Sequence, residues 1–313
     1  MTIEAKDLRK TFGKHEVVRG ASFVIPEGQT VGLLGPNGAG KTTTINMMLG
    51  LLRPTSGSVT VFGRPAVGLP AELKSRIGYV PQDMAFFPEL SGLANATYWG
   101  RLYGLRGAAL KAAVQESLEF TQLWDRRKDA AKSYSGGMQR RLNISCGIVH
   151  KPKVLFMDEP TVGVDPQSRN HILESARRLA ELGSSIVYTS HYMEEIQTLC
   201  DSVIIIDEGT VVADGPLDAV IAENAPEPSV VLDFGDVATA GAGEQVLLAD
   251  GLLTEGRYVT RGDTIQLHRP ADVSFTAYAQ RVLASGLDLT SVREDRPTLE
   301  NVFLNLTGKK LRD

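Results

Sequence analysis

Gly35-Pro36-Asn37-Gly38-Ala39-Gly40-Lys41-Thr42-Thr43 decides the reading of this chain. Its first eight residues fit G-x-x-x-x-G-K-[ST], a loop pattern that cradles phosphate. Thr30 to Leu34, just before it, is a short apolar run of strand character. In Lys41 to Leu49, just after it, Ile45, Met48 and Leu49 fall on one helical face. Strand, glycine turn and helix start therefore follow in order. The glycines let the backbone fold around an anion with its N–H groups inward, and the helix start adds partial positive charge. Lys41 is expected at the β- and γ-phosphates of a nucleotide and Thr42 on Mg²⁺.

Bulk composition narrows the alternatives. A chain of 313 residues suggests about two domains. With 42% hydrophobic residues it can form a packed core, and a net charge of -4 gives no overall basic footprint for nucleic acid. Cys146 and Cys200 show no metal-type spacing, which suits a reduced, cytosolic setting. The N-terminal residues lack a signal-peptide core, and no run approaches the roughly 18 apolar residues of a membrane helix. At a membrane, such a chain is expected as a peripheral subunit.

Outward from the loop, residues 1–29 alternate weakly and are punctuated by Gly13, Gly20 and Pro26-Glu27-Gly28, which reads as an antiparallel β piece. Phe12 lies between Lys10 and Lys14; its ring can stack on a base or cover core. Ile77 to Gln82 reads as a strand ending in a neutral amide, able to ligate Mg²⁺ or hold water, or simply to face solvent. Residues 84–150 lose strand character. Leu110, Val114 and Leu118 form one helical stripe, and Leu142, Cys146 and Val149 another. Within this helical insertion, Ser135 can cap the next helix, while Gly136 and Gly137 allow close approach to phosphate. Arg126-Arg127-Lys128 reads as a solvated face.

Val154 to Met157 is a continuous apolar run ending in Asp158 and Glu159, which suggests a strand buried on both faces. Its C-terminal end belongs to the ligand edge of an α/β sheet. There Asp158 suits a Mg²⁺ shell and Glu159 a general base. Asp165-Pro166 opens a helix at about 167–182. Ser185 to Thr189 is the next strand, and it delivers His191 to the same edge, as a γ-phosphate or water contact. Ser202 to Ile206 and Thr210 to Ala213 read as a hairpin. Ala225-Pro226-Glu227-Pro228-Ser229 looks like a linker. Beyond it lie strand signals at Val230 to Phe234 and Thr264 to His268, and helical signals near 272–285 and, behind Pro297, at 297–306.

Taken together these residues resemble the ATP-binding cassette (ABC) transporter ATPases, in the family's order from Phe12 to His191. Phe12 resembles the adenine-stacking aromatic, Gly35 to Thr43 the Walker A loop, and Gln82 the Q-loop glutamine. Tyr134-Ser135-Gly136-Gly137-Met138 resembles the signature, with Tyr134 and Met138 where Leu and Gln are usual. Val154 to Asp158 resembles Walker B, with Glu159 as the catalytic glutamate, Asp165 the D-loop and His191 the switch histidine. The signature, the basic residues after it and Pro297 to Leu304 look like the daunorubicin-type resistance exporters, which pair with separate ABC-2-type permeases.

The resemblance implies an α/β P-loop NTPase core with an N-terminal antiparallel β piece, a helical subdomain at about 84–150 and a small C-terminal α+β appendage. It places the nucleotide-binding domain at 1–225 and an accessory domain at 226–313. Glu159, His191 and Gln82 are the expected catalytic residues. ATP is expected on Phe12, Gly35, Pro36, Asn37, Gly38, Ala39, Gly40, Lys41, Thr42, Thr43, Ser135, Gly136, Gly137 and Asp165, and Mg²⁺ on Thr42, Gln82 and Asp158. The implied partners are an integral-membrane permease and a second ATPase subunit, most simply a copy of this chain paired head to tail. The implied location is the cytoplasmic face of the cell membrane. A soluble ATPase acting on nucleic acid or ribosomes fits less well, because the chain has one Walker A loop, no long heptad run and no basic bias. An inactive cassette fits poorly with Lys41, Asp158, Glu159 and His191 all in place.

Overall fold

A computed structural model describes residues 2–224, 229–270, 273–295 and 298–308. Of the expected linker at 225–229, residues 225–228 lie outside the described residues, as does Pro297, and Ser229 instead opens a strand. The chain divides into two compact units, Met1–Val220 together with Leu306–Asp313, and Ile221–Asn305.

The order of elements is β1 (Ile3–Phe12), β2 (His15–Ile25), β3 (Thr30–Leu34), α1 (Lys41–Met48), β4 (Ser56–Val61), β5 (Arg64–Pro65), α2 (Ala71–Lys74), β6 (Ile77–Val80), α3 (Gly92–Leu102), α4 (Gly107–Phe120), α5 (Gly136–Ile148), β7 (Val154–Asp158), α6 (Pro166–Glu181), β8 (Ser185–Thr189), α7 (Met193–Leu199), β9 (Ser202–Asp207), β10 (Thr210–Pro216) and α8 (Leu217–Asn224). There follow β11 (Ser229–Asp233), α9 (Val237–Ala249), β12 (Tyr258–Arg261), β13 (Thr264–His268), α10 (Phe275–Ala284), β14 (Ser291–Asp295) and α11 (Leu299–Thr307).

The first unit holds two sheets. The larger runs β10-β9-β3-β8-β7-β6, with every pair parallel except the antiparallel edge strand β10. Every residue of β3, β7 and β8 is buried, as a central parallel strand requires. The smaller sheet, β2-β1-β4-β5, is antiparallel. It is larger than the N-terminal piece expected from residues 1–29, because Val59 and Val61 pair with Ala5 and Ile3. One cluster joins both sheets and α1, through Ile3, Leu8, Ile25, Leu33, Ile45, Met48 and Phe156.

Within residues 84–150 the regular structure is helical (α3, α4 and α5), as the periodicity predicts. Leu110, Val114 and Leu118 from α4 meet Leu142 and Cys146 from α5, and Val149 just past its end, in a separate buried cluster. Burying a side chain of this size contributes about 1.5–3 kcal/mol, so the cluster can hold the subdomain as its own packed body. The solvated-face reading of Arg126-Arg127-Lys128 needs one correction. Arg127 is half-buried, with its guanidinium 4.0 Å from the Trp124 ring centroid and its Nη1 donating to the Trp124 carbonyl.

The second unit is a four-stranded antiparallel sheet in the order β12-β13-β11-β14. With α9 after β11 and α10 after β13, this is the βαββαβ arrangement of ferredoxin-like domains. Val230, Leu232, Ile265, Leu267, Tyr278 and Val282 belong to its core.

Candidate active site

Parallel pairing brings four strand ends to one edge. Leu33 pairs with Thr189, Asp158 with Thr189 and Val80 with Met157. The segments that leave β3, β6, β7 and β8 therefore start side by side, and they carry Lys41, Gln82, Glu159 and His191.

The loop after β3 is shaped by steric necessity. A side chain on Gly35 would place its Cβ 2.2 Å from the Ile206 carbonyl oxygen, so only glycine fits. Gly40, at φ 100°, precedes α1, and no side chain caps that helix. Its first N–H groups are thus left for a ligand. Lys41 is buried and folds back on its own loop, donating from Nζ to the Gly35 carbonyl at 2.7 Å and the Pro36 carbonyl at 3.2 Å. An ammonium has three donors, which leaves one for a ligand. Burial pulls its pKa down, opposed by the charges of Glu159 and Asp158.

Asp158 ends β7 and is buried; its Oδ1 accepts from the Thr189 hydroxyl at 2.7 Å. Desolvation raises its pKa, while the Thr189 bond and the charges of Lys41 and His191 oppose the rise. The next residue, Glu159, is also buried and takes the left-handed conformation, φ 47°. Its backbone N–H donates to Thr189 Oγ1 at 2.8 Å, and its Oε1 lies 2.7 Å from His191 Nε2. His191 Nδ1 is buried with no protein partner among the described residues.

Lys41, Glu159 and His191 border a cavity of about 270 Å³ lined also by Val17, Asn37, Gly38, Gly40, Thr42, Thr43 and Gln82; Asp158, Gly35, Pro36 and Ala39 do not line it. A cavity of about 300 Å³ elsewhere, lined by Phe120, Val149, Leu179 and Leu182 among others, brings no comparable set of chemical groups together. For a metal ion, Thr42, Gln82 and Asp158 offer hydroxyl, amide and carboxylate oxygens. That hard donor set suits Mg²⁺, and the desolvated Asp158 carboxylate favours a nearby cation.

Several predicted residues sit apart from this cavity. Phe12 does not line it; half exposed at the β1–β2 turn, its ring lies 5.0 Å from Lys10 Nζ. Ser135, Gly136, Gly137 and Asp165 do not line it either. Ser135 caps α5 by accepting from the Met138 N–H at 3.3 Å. Asp165 caps α6, accepting from the Ser168 N–H at 2.9 Å and the Ser168 hydroxyl at 2.7 Å. Those bonds hold its carboxyl below the usual range. Gly137 abuts the same serine, so the signature and Asp165 meet in one packed group.

Sequence reasoning missed Val17, Thr189, Arg140 and Asn143. Arg140 donates to the Gln82 carbonyl at 2.6 Å, and Asn143 bonds the backbone at Pro81 and Ala85, so α5 holds the Gln82 segment. Their three-residue spacing on one face of α5 was the available signal; Val17 carried none.

A family model described as "ABC transporter" matches residues 18–162. The linearmycin resistance ATP-binding protein LnrL of Bacillus subtilis (strain 168) is 41% identical over 319 residues, covering 99% of this chain and 100% of that protein. This chain belongs to the ATP-binding subunits of ABC transporters. The Nod factor export ATP-binding protein I of Paraburkholderia xenovorans (strain LB400) is 35% identical over 327 residues, covering 99% of this chain and 98% of that one. Both likenesses run through the C-terminal unit of the ABC subunit as well as its cassette. A solved ATP-binding subunit of an ABC transporter superimposes with a TM-score of 0.66 at 28% identity, covering 71% of this chain and 93% of that one.

Proposed function

We propose that this ABC subunit hydrolyses ATP to drive export of an amphiphilic compound through a separate membrane permease. The observation that carries the reading is the Glu159–His191 contact at 2.7 Å on the same cavity as Lys41 and Thr42. The relatives' names support the reading: resistance to linearmycin for one, export of Nod factor for the other.

In this reading the Lys41 ammonium and the N–H groups of residues 35–43 hold the phosphates, and Phe12 stacks on the base. Thr42, Gln82 and Asp158 hold Mg²⁺, which when bound neutralises phosphate charge. Glu159 takes the proton of an attacking water, and His191 orients Glu159 and contacts the terminal phosphate. A positioned general base contributes about 10²–10⁴-fold. The cassette is assigned to 1–225 and the accessory domain to 226–313.

The second half of each nucleotide site is assigned to another cassette. Ser135 to Gly137 do not line the cavity of their own chain, which favours closure from a partner copy, head to tail, with each site built from both subunits. Permease contact is assigned to the segment after Gln82. Met84, Phe87, Leu90, Tyr98 and Leu102 are exposed there, and apolar groups gathered on a surface mark interaction sites. Phe87 and Tyr98 pack edge to face with ring centroids 4.9 Å apart. Among the described residues no helix is long and apolar enough to cross a membrane, and attachment at the cytoplasmic face is assigned to the permease.

A mixing assay tests the paired site. A chain altered at Lys41 is combined with one altered at Ser135 and Gly137, each inactive alone. Partial recovery of phosphate release is expected, since one site of the mixed dimer is intact. No recovery, together with a Glu159→Gln protein that stays monomeric in saturating ATP and Mg²⁺ by light scattering, overturns self-pairing.

A further inference from the structure

Behind the cavity lies a carboxylate that none of the motifs includes. Glu195, on α7, has a side chain 0% exposed. Its Oε2 accepts from the hydroxyls of Thr161 at 3.0 Å, Tyr188 at 3.0 Å and Ser190 at 2.6 Å. Its Oε1 accepts from Arg169 Nε at 2.5 Å. Four donors from three segments thus converge on one side chain. Thr161 follows Glu159 by two residues, Ser190 immediately precedes His191, Tyr188 belongs to β8, and Arg169 lies on α6 just past Asp165.

We infer that Glu195 is a positioning residue for hydrolysis, fixing the segments that carry Glu159 and His191 at the spacing where they touch. The geometry on the histidine side is direct. The Ser190 hydroxyl donates to Glu195 and accepts from the Tyr192 N–H at 2.9 Å, so both flanks of His191 are held through one bond to Glu195. Arg169 adds a second hold, its guanidinium 4.2 Å from the Tyr192 ring centroid. On the other side, Thr161 ties down the turn that leaves Glu159.

The buried carboxylate keeps the hydroxyls of Thr161, Tyr188 and Ser190 in place, because each of these buried donors would be left unpaired if released. Glu195 does not line the cavity, so its effect on turnover passes through Glu159 and His191 rather than through nucleotide contact. The inference rests on the roles proposed above for those two residues.

Glu195→Gln tests it with little change of shape. The amide nitrogen must face either the hydroxyl donors or Arg169, so at least one anchor opens. For the purified full-length chain, kcat is expected to fall about 10–100-fold, as for a small misplacement of reacting groups, with affinity for a fluorescent ATP analogue unchanged within about twofold. Ser190→Ala, which removes only a hydroxyl, should lower kcat with the same unchanged affinity. In the double variant the two losses should not multiply, because both residues belong to one hydrogen-bond network centred on Glu195. A kcat within about twofold of wild type, losses that multiply, or affinity falling along with kcat overturns the inference. If Glu195→Gln does not fold, judged by its thermal transition, Ser190→Ala alone decides on the same split between kcat and affinity. Glu159→Gln measured alongside separates the two readings. Should it hydrolyse normally, the site roles fail; should it be inactive while the Glu195 and Ser190 variants match wild type, only the positioning role fails.

Discussion

Glu159 Oε1 and His191 Nε2 lie 2.7 Å apart, although 31 residues of chain lie between them. Each residue stands just past the end of its own parallel strand, and the pairing of Asp158 with Thr189 brings those two ends level. If Glu159 is the base, Glu159→Gln keeps shape and hydrogen bonding but cannot take a proton. Steady-state phosphate release should fall about 10²–10⁴-fold with nucleotide binding retained. Release near the wild-type rate would remove Glu159 from the chemistry.

Lys41→Ala deletes the buried ammonium held on the Gly35 and Pro36 carbonyls and leaves the loop's N–H groups in place. ATP should bind more weakly, and its stabilisation of the fold should shrink with that loss of affinity. Thermal transitions with and without ATP check this. An undiminished shift at a fixed ATP concentration would contradict the phosphate role.

Asp158→Asn gives a pH signature. Burial raises the Asp158 pKa above 3.8, so between that value and the raised one the folded state binds more protons than the unfolded state. Ionised Asp158 therefore weighs against stability above its raised pKa, and the burden lifts as pH falls through it. Asparagine has no such term and can still accept from Thr189. The variant should be more stable than wild type near neutral pH without ligand, with the gap closing as pH falls towards about 4. A gap that widens on acidification would show that the carboxylate is stabilised where it sits.

Gly137→Ala would bring a methyl group to 1.9 Å from Ser168 Oγ and 3.3 Å from Asp165 Oδ2. Overpacking of this kind costs about 1–3 kcal/mol, and here the strain falls on the cap of α6. Denaturant unfolding should show that loss. ATPase activity should fall further than nucleotide affinity, since neither Gly137 nor Asp165 lines the cavity.

What could be read in the sequence was chemistry held in contiguous stretches. Gly35 to Thr43 and Val154 to Glu159 carry strand, turn and functional group together, so pattern alone places them on a sheet edge. Thr189 and Glu195 could not be found that way, because their partners lie 31 and 34 residues away in the chain for Asp158 and Thr161. The C-terminal unit was half legible. β11 carries an apolar run and β13 alternates apolar Ile265 and Leu267 with polar residues, whereas α9 (VATAGAGEQVLLA) has small residues on several faces and no clear apolar stripe. β12 and β14 are short and half polar, so each is defined by its neighbours' hydrogen bonds more than by its own pattern.

Glu159 holds a left-handed backbone at φ 47°, a conformation that glycine adopts without penalty and that a side chain such as glutamate adopts at about 1–3 kcal/mol. The position is thus pulled two ways. By backbone conformation alone the favoured residue is glycine; for turnover the proposed role demands a carboxylate. Natural selection on transport must hold glutamate there against a standing folding disadvantage. In a lineage released from that selection, Glu159→Gly would be an early substitution to accumulate, leaving a sturdier cassette that still grips ATP and no longer spends it.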